Sequence, residues 1–233
     1  MAKEEDLQYE ILPEDFSESD LGFKMIIVGD SGIGKSCLTL KGIKNHFEEC
    51  YAPTVGFEFF IFNIRINNKN IKLQIWDTCG QEAYRSLITS FYRNSSLAII
   101  AYAINDQYSF NNVESWLNEI KSNANPQTII FLIGTKADLE KERKVNRELA
   151  EKFKKDHDIN YFIETSAKLG INTTDVFVEA AKQLYKYHLE YKDRASKPGL
   201  IKPIPYQQEM NNSIFLDDEN EENKSRKKKT CCS

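Results

Sequence analysis

No stretch of this chain is apolar for long enough to cross a bilayer. The longest, Leu97 to Ile104, falls well short of the about 20 residues a spanning helix needs. Cysteine is sparse and unpatterned: none of the five falls in a C-x-x-C or other metal-ligand spacing, so Cys37 and Cys50 read as reduced thiols. The three histidines form no metal-like cluster and read as structural or surface residues. An excess of positive charge is also missing. A net charge of −4 argues against a nucleic-acid partner, because neutralising phosphates takes a basic surface. The acidic start, Met1 to Glu10, fits neither a signal nor a transit peptide, and Ala2 excludes N-myristoylation. What remains compatible with 41% hydrophobic and 28% charged residues is one globular domain with tails.

Within that domain one run carries chemistry. Gly29-Asp30-Ser31-Gly32-Ile33-Gly34-Lys35-Ser36 fits G-x-x-x-x-G-K-[S/T], preceded by the strand-like Phe23 to Val28 and followed by a helical pattern at Cys37, Leu38, Leu40 and Ile43. In such a strand–loop–helix setting, backbone N–H groups of Ser31, Gly32, Ile33 and Gly34 turn around phosphate oxygens and the helix N-terminus adds its positive end. Lys35 would reach the β- and γ-phosphates, the Ser36 hydroxyl Mg²⁺, and Cys37 would flank the site. Three downstream signals narrow the nucleotide. Trp76-Asp77-Thr78-Cys79-Gly80-Gln81 closes the alternating run Ile71 to Ile75, which puts Asp77 at a strand end for water-mediated Mg²⁺ binding and the Gly80 N–H toward a γ-phosphate. Thr135-Lys136-Ala137-Asp138 follows the strand-like Thr128 to Gly134, and a carboxylate there accepts from guanine N1 and N2, a donor pair adenine lacks. Glu164-Thr165-Ser166-Ala167-Lys168 follows Tyr161 to Ile163, with backbone N–H groups available to guanine O6. Asp138 and the Ser166-Ala167-Lys168 loop together count against a P-loop kinase or ATPase.

The remaining pattern alternates strands with helices. Strands are expected at Phe23–Val28, Phe57–Ile66, Ile71–Trp76, Leu97–Ile104, Thr128–Gly134 and Asn160–Glu164, the second and third joined through Asn67 to Asn70 as an antiparallel hairpin. The other crossovers contain helices, as parallel strands require. Apolar stripes at Phe110, Val113, Leu117 and Ile120, and at Phe177, Ala180, Ala181, Leu184 and His188, read as core faces. The expected fold is α/β: a six-stranded, mostly parallel sheet with one antiparallel strand, helices on both faces, and nucleotide at the strand C-termini. Residues 1–22 read as a flexible acidic extension, 23–191 as the folded domain, and 192–233 as a disordered tail rich in Pro, Asn and charge.

These motifs, in this order, resemble the Ras-like small GTPases, whose P-loop G domain is the fold expected here, and within them the Rab branch. Tyr51-Ala52-Pro53-Thr54-Val55-Gly56-Phe57-Glu58-Phe59 is similar to the Rab effector loop. Lys72 to Thr78 and Tyr84-Arg85-Ser86-Leu87-Ile88-Thr89 are similar to its switch II surroundings, and the tail ends in a Rab-like Cys231-Cys232-Ser233. The resemblance implies Phe47 against the guanine, Tyr51 over the phosphates, Thr54 on Mg²⁺ in the GTP state, and Phe59, Trp76 and Phe91 as the aromatic trio that effectors read. It implies a GTP phosphohydrolase with Mg²⁺ and bound GTP or GDP, Gln81 aligning the attacking water, and geranylgeranyl groups on Cys231 and Cys232. No arginine lies between Phe47 and Thr54, so intrinsic turnover is expected to be slow. An activating protein would contribute about 10³–10⁵-fold.

The partners implied are an exchange factor, an activating protein, effectors, and the prenyl-Rab chaperones (escort protein and GDP-dissociation inhibitor), around a monomer. The place implied is the cytoplasmic face of an intracellular membrane, in vesicle trafficking, with a cytosolic pool. Lys224 to Lys229 would add an electrostatic contact with anionic lipid. Two positions depart from the family: Thr135 stands where Asn is usual, and Cys79 where Ala is usual. Cys79 supports a second reading, a nucleotide-binding scaffold with little intrinsic hydrolysis.

Overall fold

The computed structural model describes residues 7–49, 54–80 and 91–195. Tyr51, Gln81, Cys231, Cys232 and the tail from residue 196 lie outside the described residues. Strands β1 (Tyr9–Leu12), β2 (Leu21–Val28), β3 (Phe57–Ile66), β4 (Lys69–Thr78), β5 (Leu97–Ala103), β6 (Ile129–Thr135) and β7 (Tyr161–Glu164) form one sheet in the order β1-β3-β4-β2-β5-β6-β7. From β4 through β7 neighbouring strands are parallel, and β1 and β3 are antiparallel to their neighbours. Among the described residues five α-helices accompany it: α1 (Lys35–Lys44), α2 (Gln107–Asn111), α3 (Val113–Asn123), α4 (Arg147–Asp156) and α5 (Thr173–Ala195).

The apolar runs are nearly continuous because both faces of the sheet are covered. Met25 and Ile27 of β2 pack into a core shared with α1 and α5, including Leu38, Phe177, Ala181 and Leu184. Their neighbours Ile26 and Val28 point the other way, into a core with Val113, Trp116, Leu117 and Ile120 of α3 and Ala150 of α4. Both stripes expected from the sequence are thus core faces, with His188 half-buried at the end of one. The β3–β4 hairpin turns on Asn67 and Asn68, with φ of 48° and 62°. This is the left-handed pair that a two-residue turn between twisted strands requires and that asparagine tolerates.

The expected six strands are corrected to seven among the described residues. Residues 1–22 are not a flexible extension throughout, because Tyr9–Leu12 pairs with Asn63–Ile66 on the outer edge of β3. Side chains hold the segment in place. Asn63 Nδ2 lies 2.9 and 3.0 Å from the carbonyls of Pro13 and Glu14, Arg65 donates to Glu10 at 2.6 Å, and Lys69 to Asp20 at 2.7 Å. β2 also starts two residues before Phe23, at Leu21.

Candidate functional site

The parallel strands end on one side of the sheet, and the loops leaving β2, β4, β6 and β7 enclose a cavity of about 410 Å³ there. It is lined by Ser31, Gly32, Gly34, Lys35, Ser36 and Cys37 from the loop into α1, by Phe47 and Thr54 from the connection to β3, and by Cys79 and Gly80 after β4. Thr135, Lys136, Asp138, Ala167 and Lys168 close it from the β6 and β7 ends. Ile33 turns its side chain into the small core of Ala101 and Ala103, so only its backbone can face a ligand. Gly34 caps α1 with φ 98°, a conformation that side chains resist. Gly80 is required for a different reason: a Cβ there would stand 2.3–2.5 Å from Asp30 C, Asp30 O and Ser31 N. The loop after β4 therefore rests directly on the loop after β2.

The charges in the cavity are buried and incompletely satisfied. Lys35 Nζ donates to the carbonyls of Gly29 and Asp30, each at 2.7 Å. Burial pulls its pKa down to about 8, with Asp77 and Asp30 opposing. Asp77 is fully buried, and neither carboxylate oxygen has a hydrogen-bond partner among the described residues. Burial pushes its pKa up to about 7, only partly offset by the neighbouring Ser36 hydroxyl, which bonds to Thr54 and does not reach hydrogen-bond geometry with the carboxylate, and by the Lys35 charge. The Ser36 and Thr54 hydroxyls lie 2.7 Å apart. On the far wall Ser166, itself buried, donates to Asp138 at 2.6 Å and thereby aims the carboxylate that sequence reasoning assigned to the base. The Thr135 hydroxyl lies 2.5 Å from Ile33 O and 2.9 Å from Tyr102 O, and its one proton serves one of them at a time. Lys136, at φ 59°, donates to Gly32 O at 2.7 Å. Thr135 and Lys136 thus fasten the loop after β6 to the phosphate loop. Lys168 donates to Glu49 at 2.8 Å, both exposed.

The Ras family profile matches residues 24–186. The chain belongs to the Ras family. It is 41% identical over 178 residues, 76% of this chain and 87% of the relative, to the Ras-related protein Rab-13 of Rattus norvegicus, and is a Ras-like small GTPase of the Rab type. Ras-family GTPases bind GTP or GDP with Mg²⁺, and the residues present fit that ion. Ser36, Thr54 and Asp77 are hard oxygen donors, and the two unpartnered Asp77 oxygens are the kind of orphan a hydrated dication satisfies.

Three aromatic residues named from the resemblance also meet. Trp76 stands 5.1 Å from Phe59 and 5.1 Å from Phe91 by ring centroid. The trio is larger than expected, since Phe57, 44% exposed, contacts Trp76 at 5.0 Å and Phe91 at 4.7 Å. Its place one alternation before Phe59 on β3 was visible in the sequence. Lys24 was not legible: it lies 5.4 Å from the Trp76 ring and 5.9 Å from that of Phe91, and donates to Arg93 O at 3.1 Å. Nor was the anchor of Arg143 on Glu164, at 2.7 and 2.8 Å, which joins the loop after β6 to the end of β7. Position in sequence gives no signal for either.

Proposed function

We propose that this Rab-type GTPase is a switch that cycles between GDP and GTP, hydrolyses GTP with Mg²⁺, and recruits effectors in vesicle trafficking while GTP is bound. The observation that carries the reading is the buried Asp77 carboxylate, without a hydrogen-bond partner among the described residues, beside the Ser36–Thr54 pair and Lys35. When bound, Mg²⁺ neutralises charge on the phosphate oxygens. Ser36, Thr54 and Asp77 would hold the ion, Lys35 and the loop amides would take the remaining phosphate charge, and Gln81 would orient the attacking water. Asp138 selects guanine, Ser166 fixes the Asp138 carboxylate, and Phe47 and the Ala167–Lys168 backbone complete the base site. With GTP bound, Thr54 and Gly80 follow the γ-phosphate, which orders the surface around Phe59, Trp76 and Phe91. Loss of the γ-phosphate releases it. Exchange factor, activating protein, effectors and prenyl chaperones are the partner classes this cycle needs.

At the membrane, prenyl groups on Cys231 and Cys232 would provide two anchors where one gives only marginal attachment. Among the described residues no helix is long and apolar enough to cross a bilayer. Single-turnover GTP hydrolysis, with Gln81→Leu as control, tests the enzymatic half. Wild type should hydrolyse slowly and Gln81→Leu more slowly still while retaining GTP. Tight GTP binding with no turnover, alone or with an activating protein, would favour the scaffold that Cys79 suggests. Asp138→Asn should shift preference from GTP toward xanthosine triphosphate in competition binding. Cys231→Ser with Cys232→Ser should move the protein to the cytosol with nucleotide binding intact.

A further inference from the structure

A carboxylate inside a phosphate-binding loop is an electrostatic liability, and Asp30 is one. Its side chain does not enter the cavity. Oδ2 accepts from Asn112 Nδ2 at 2.6 Å and Oδ1 accepts from the Trp116 indole N–H at 2.8 Å, partners 82 and 86 residues downstream. Asn112 sits at the junction of α2 and α3, and Trp116, 1% exposed, lies one turn into α3. The two donors satisfy both carboxylate oxygens and turn the charge away from the phosphate side. The backbone of the same residue does the opposite work. Its carbonyl accepts from Lys35 Nζ at 2.7 Å, and Gly80 packs on its C and O atoms. Asp30 is therefore the joint at which α3, the phosphate-binding lysine and the loop after β4 meet.

We propose that Asn112 and Trp116 are positioning residues of the nucleotide site. By holding the Asp30 carboxylate they set its carbonyl, through it the Lys35 ammonium, and they keep a negative charge off the phosphates. This rests on the guanine-nucleotide reading above. With either donor removed, a carboxylate that is half-buried beside the cavity loses a charge-assisted bond and swings toward the bound phosphates, so nucleotide leaves faster.

The test measures dissociation of a fluorescent mant-GDP from the full chain in Mg²⁺. Trp116→Phe keeps the ring but loses the N–H, and should raise the dissociation rate about 3- to 10-fold. Asn112→Asp sets a second carboxylate against Asp30 and should raise it by about tenfold or more. Adding Asp30→Asn to Asn112→Asp exchanges donor and acceptor across the same pair, leaves Trp116 an acceptor, and should restore a rate near that of wild type. Wild-type rates in both Trp116→Phe and Asn112→Asp would overturn the proposal, as would an exchanged pair no better than Asn112→Asp alone. Trp116→Phe decides by itself if Asn112→Asp does not fold. Failure of the wild type to retain mant-GDP would overturn the functional reading and this inference with it. Equal rates in protein that retains it would overturn this inference only.

Discussion

Two carboxylates end two strands of the same sheet and are treated in opposite ways. Glu164 closes β7, on the proposed guanine side. It is 7% exposed and held by Arg143 through two bonds of 2.7 and 2.8 Å, while the same guanidinium grips Glu140 at 2.8 and 2.7 Å. The bond to Glu164, then that to Glu140, push the Arg143 pKa upward. Asp77 lies at the end of β4, on the proposed phosphate side, fully buried and with no hydrogen-bond partner for either oxygen among the described residues. A buried charge left unpaired costs stability, so a folded chain keeps one only where something outside the chain completes it. In the proposed nucleotide site, the base half is thus braced by the protein's own ion pairs, and the phosphate half leaves its carboxylate for the ligand.

Removing the guanidinium should break the contrast most sharply. Arg143→Met leaves the buried Glu164 with only the Arg147 guanidinium, 3.9 Å away, and should lower the unfolding free energy of the GDP-bound protein by about 3–5 kcal/mol in urea titrations. Adding Glu164→Leu to Arg143→Met should recover most of that loss, because an apolar pair of similar volume carries no desolvation penalty. No recovery would mean that Arg143 acts through Glu140 and the Val145 carbonyl rather than through Glu164.

Asp77→Asn should have the opposite sign in nucleotide-free protein. The folded-state pKa of about 7 lies above the ordinary 3.8. Between those values the folded state holds the proton more tightly than the unfolded one, so stability falls as pH rises through the window. Asp77→Asn removes that slope. Measured in EDTA at pH 7, it should stabilise the chain by about 2–4 kcal/mol. In Mg²⁺ and GDP the ranking reverses, because the ion loses its carboxylate. An unchanged slope from pH 4 to 7 would show that Asp77 is solvated.

Legibility followed the same division. Residues 29–36, Asp77, Asp138 and the Ser166 loop stand out in the sequence because each lies within a few residues of a strand end and the chemistry proposed for it depends on local spacing. Asp30 with Trp116, and Arg143 with Glu164, do not, because their partners lie 86 and 21 residues away and only the folded sheet brings them together. β1 was missed because Tyr9–Leu12 is too short to show a period, ends against Pro13, and sits in acidic sequence. Its stability comes from the strand it meets. The Asn63 amide offers two hydrogens to the carbonyls of Pro13, Glu14 and Phe16, at 2.9, 3.0 and 3.4 Å. Asn63→Ala should therefore cost about 1–3 kcal/mol and speed amide exchange in residues 9–12, with mant-GDP release unchanged. Protection that survives the substitution would place the hold on Arg65 and Asp20 instead.

The smallest expected effect belongs to a charge that is neither closed nor open. Lys24 is 8% exposed under the aromatic patch, with one carbonyl partner and two ring faces within 6 Å. Burial pulls its pKa down to about 8. Between about 8 and the ordinary 10.5 the unfolded chain holds the proton more tightly, so Lys24 makes stability rise with pH across that window, with the full cost of charging it present below 8. Lys24→Met deletes the cost together with the Arg93 hydrogen bond and the cation–π contacts, which oppose it in sign. At pH 7 the net change should stay within about 1 kcal/mol. The slope is what separates the terms. In GDP-bound protein, where phosphate keeps Lys35 charged, urea midpoints of Lys24→Met should rise less steeply from pH 8 to 10.5 than those of wild type. Parallel curves would mean that Lys24 keeps an ordinary pKa, fully solvated by its carbonyl and rings, and the patch formed by Phe57, Phe59, Trp76 and Phe91 would then rest on a permanent cation at every physiological pH.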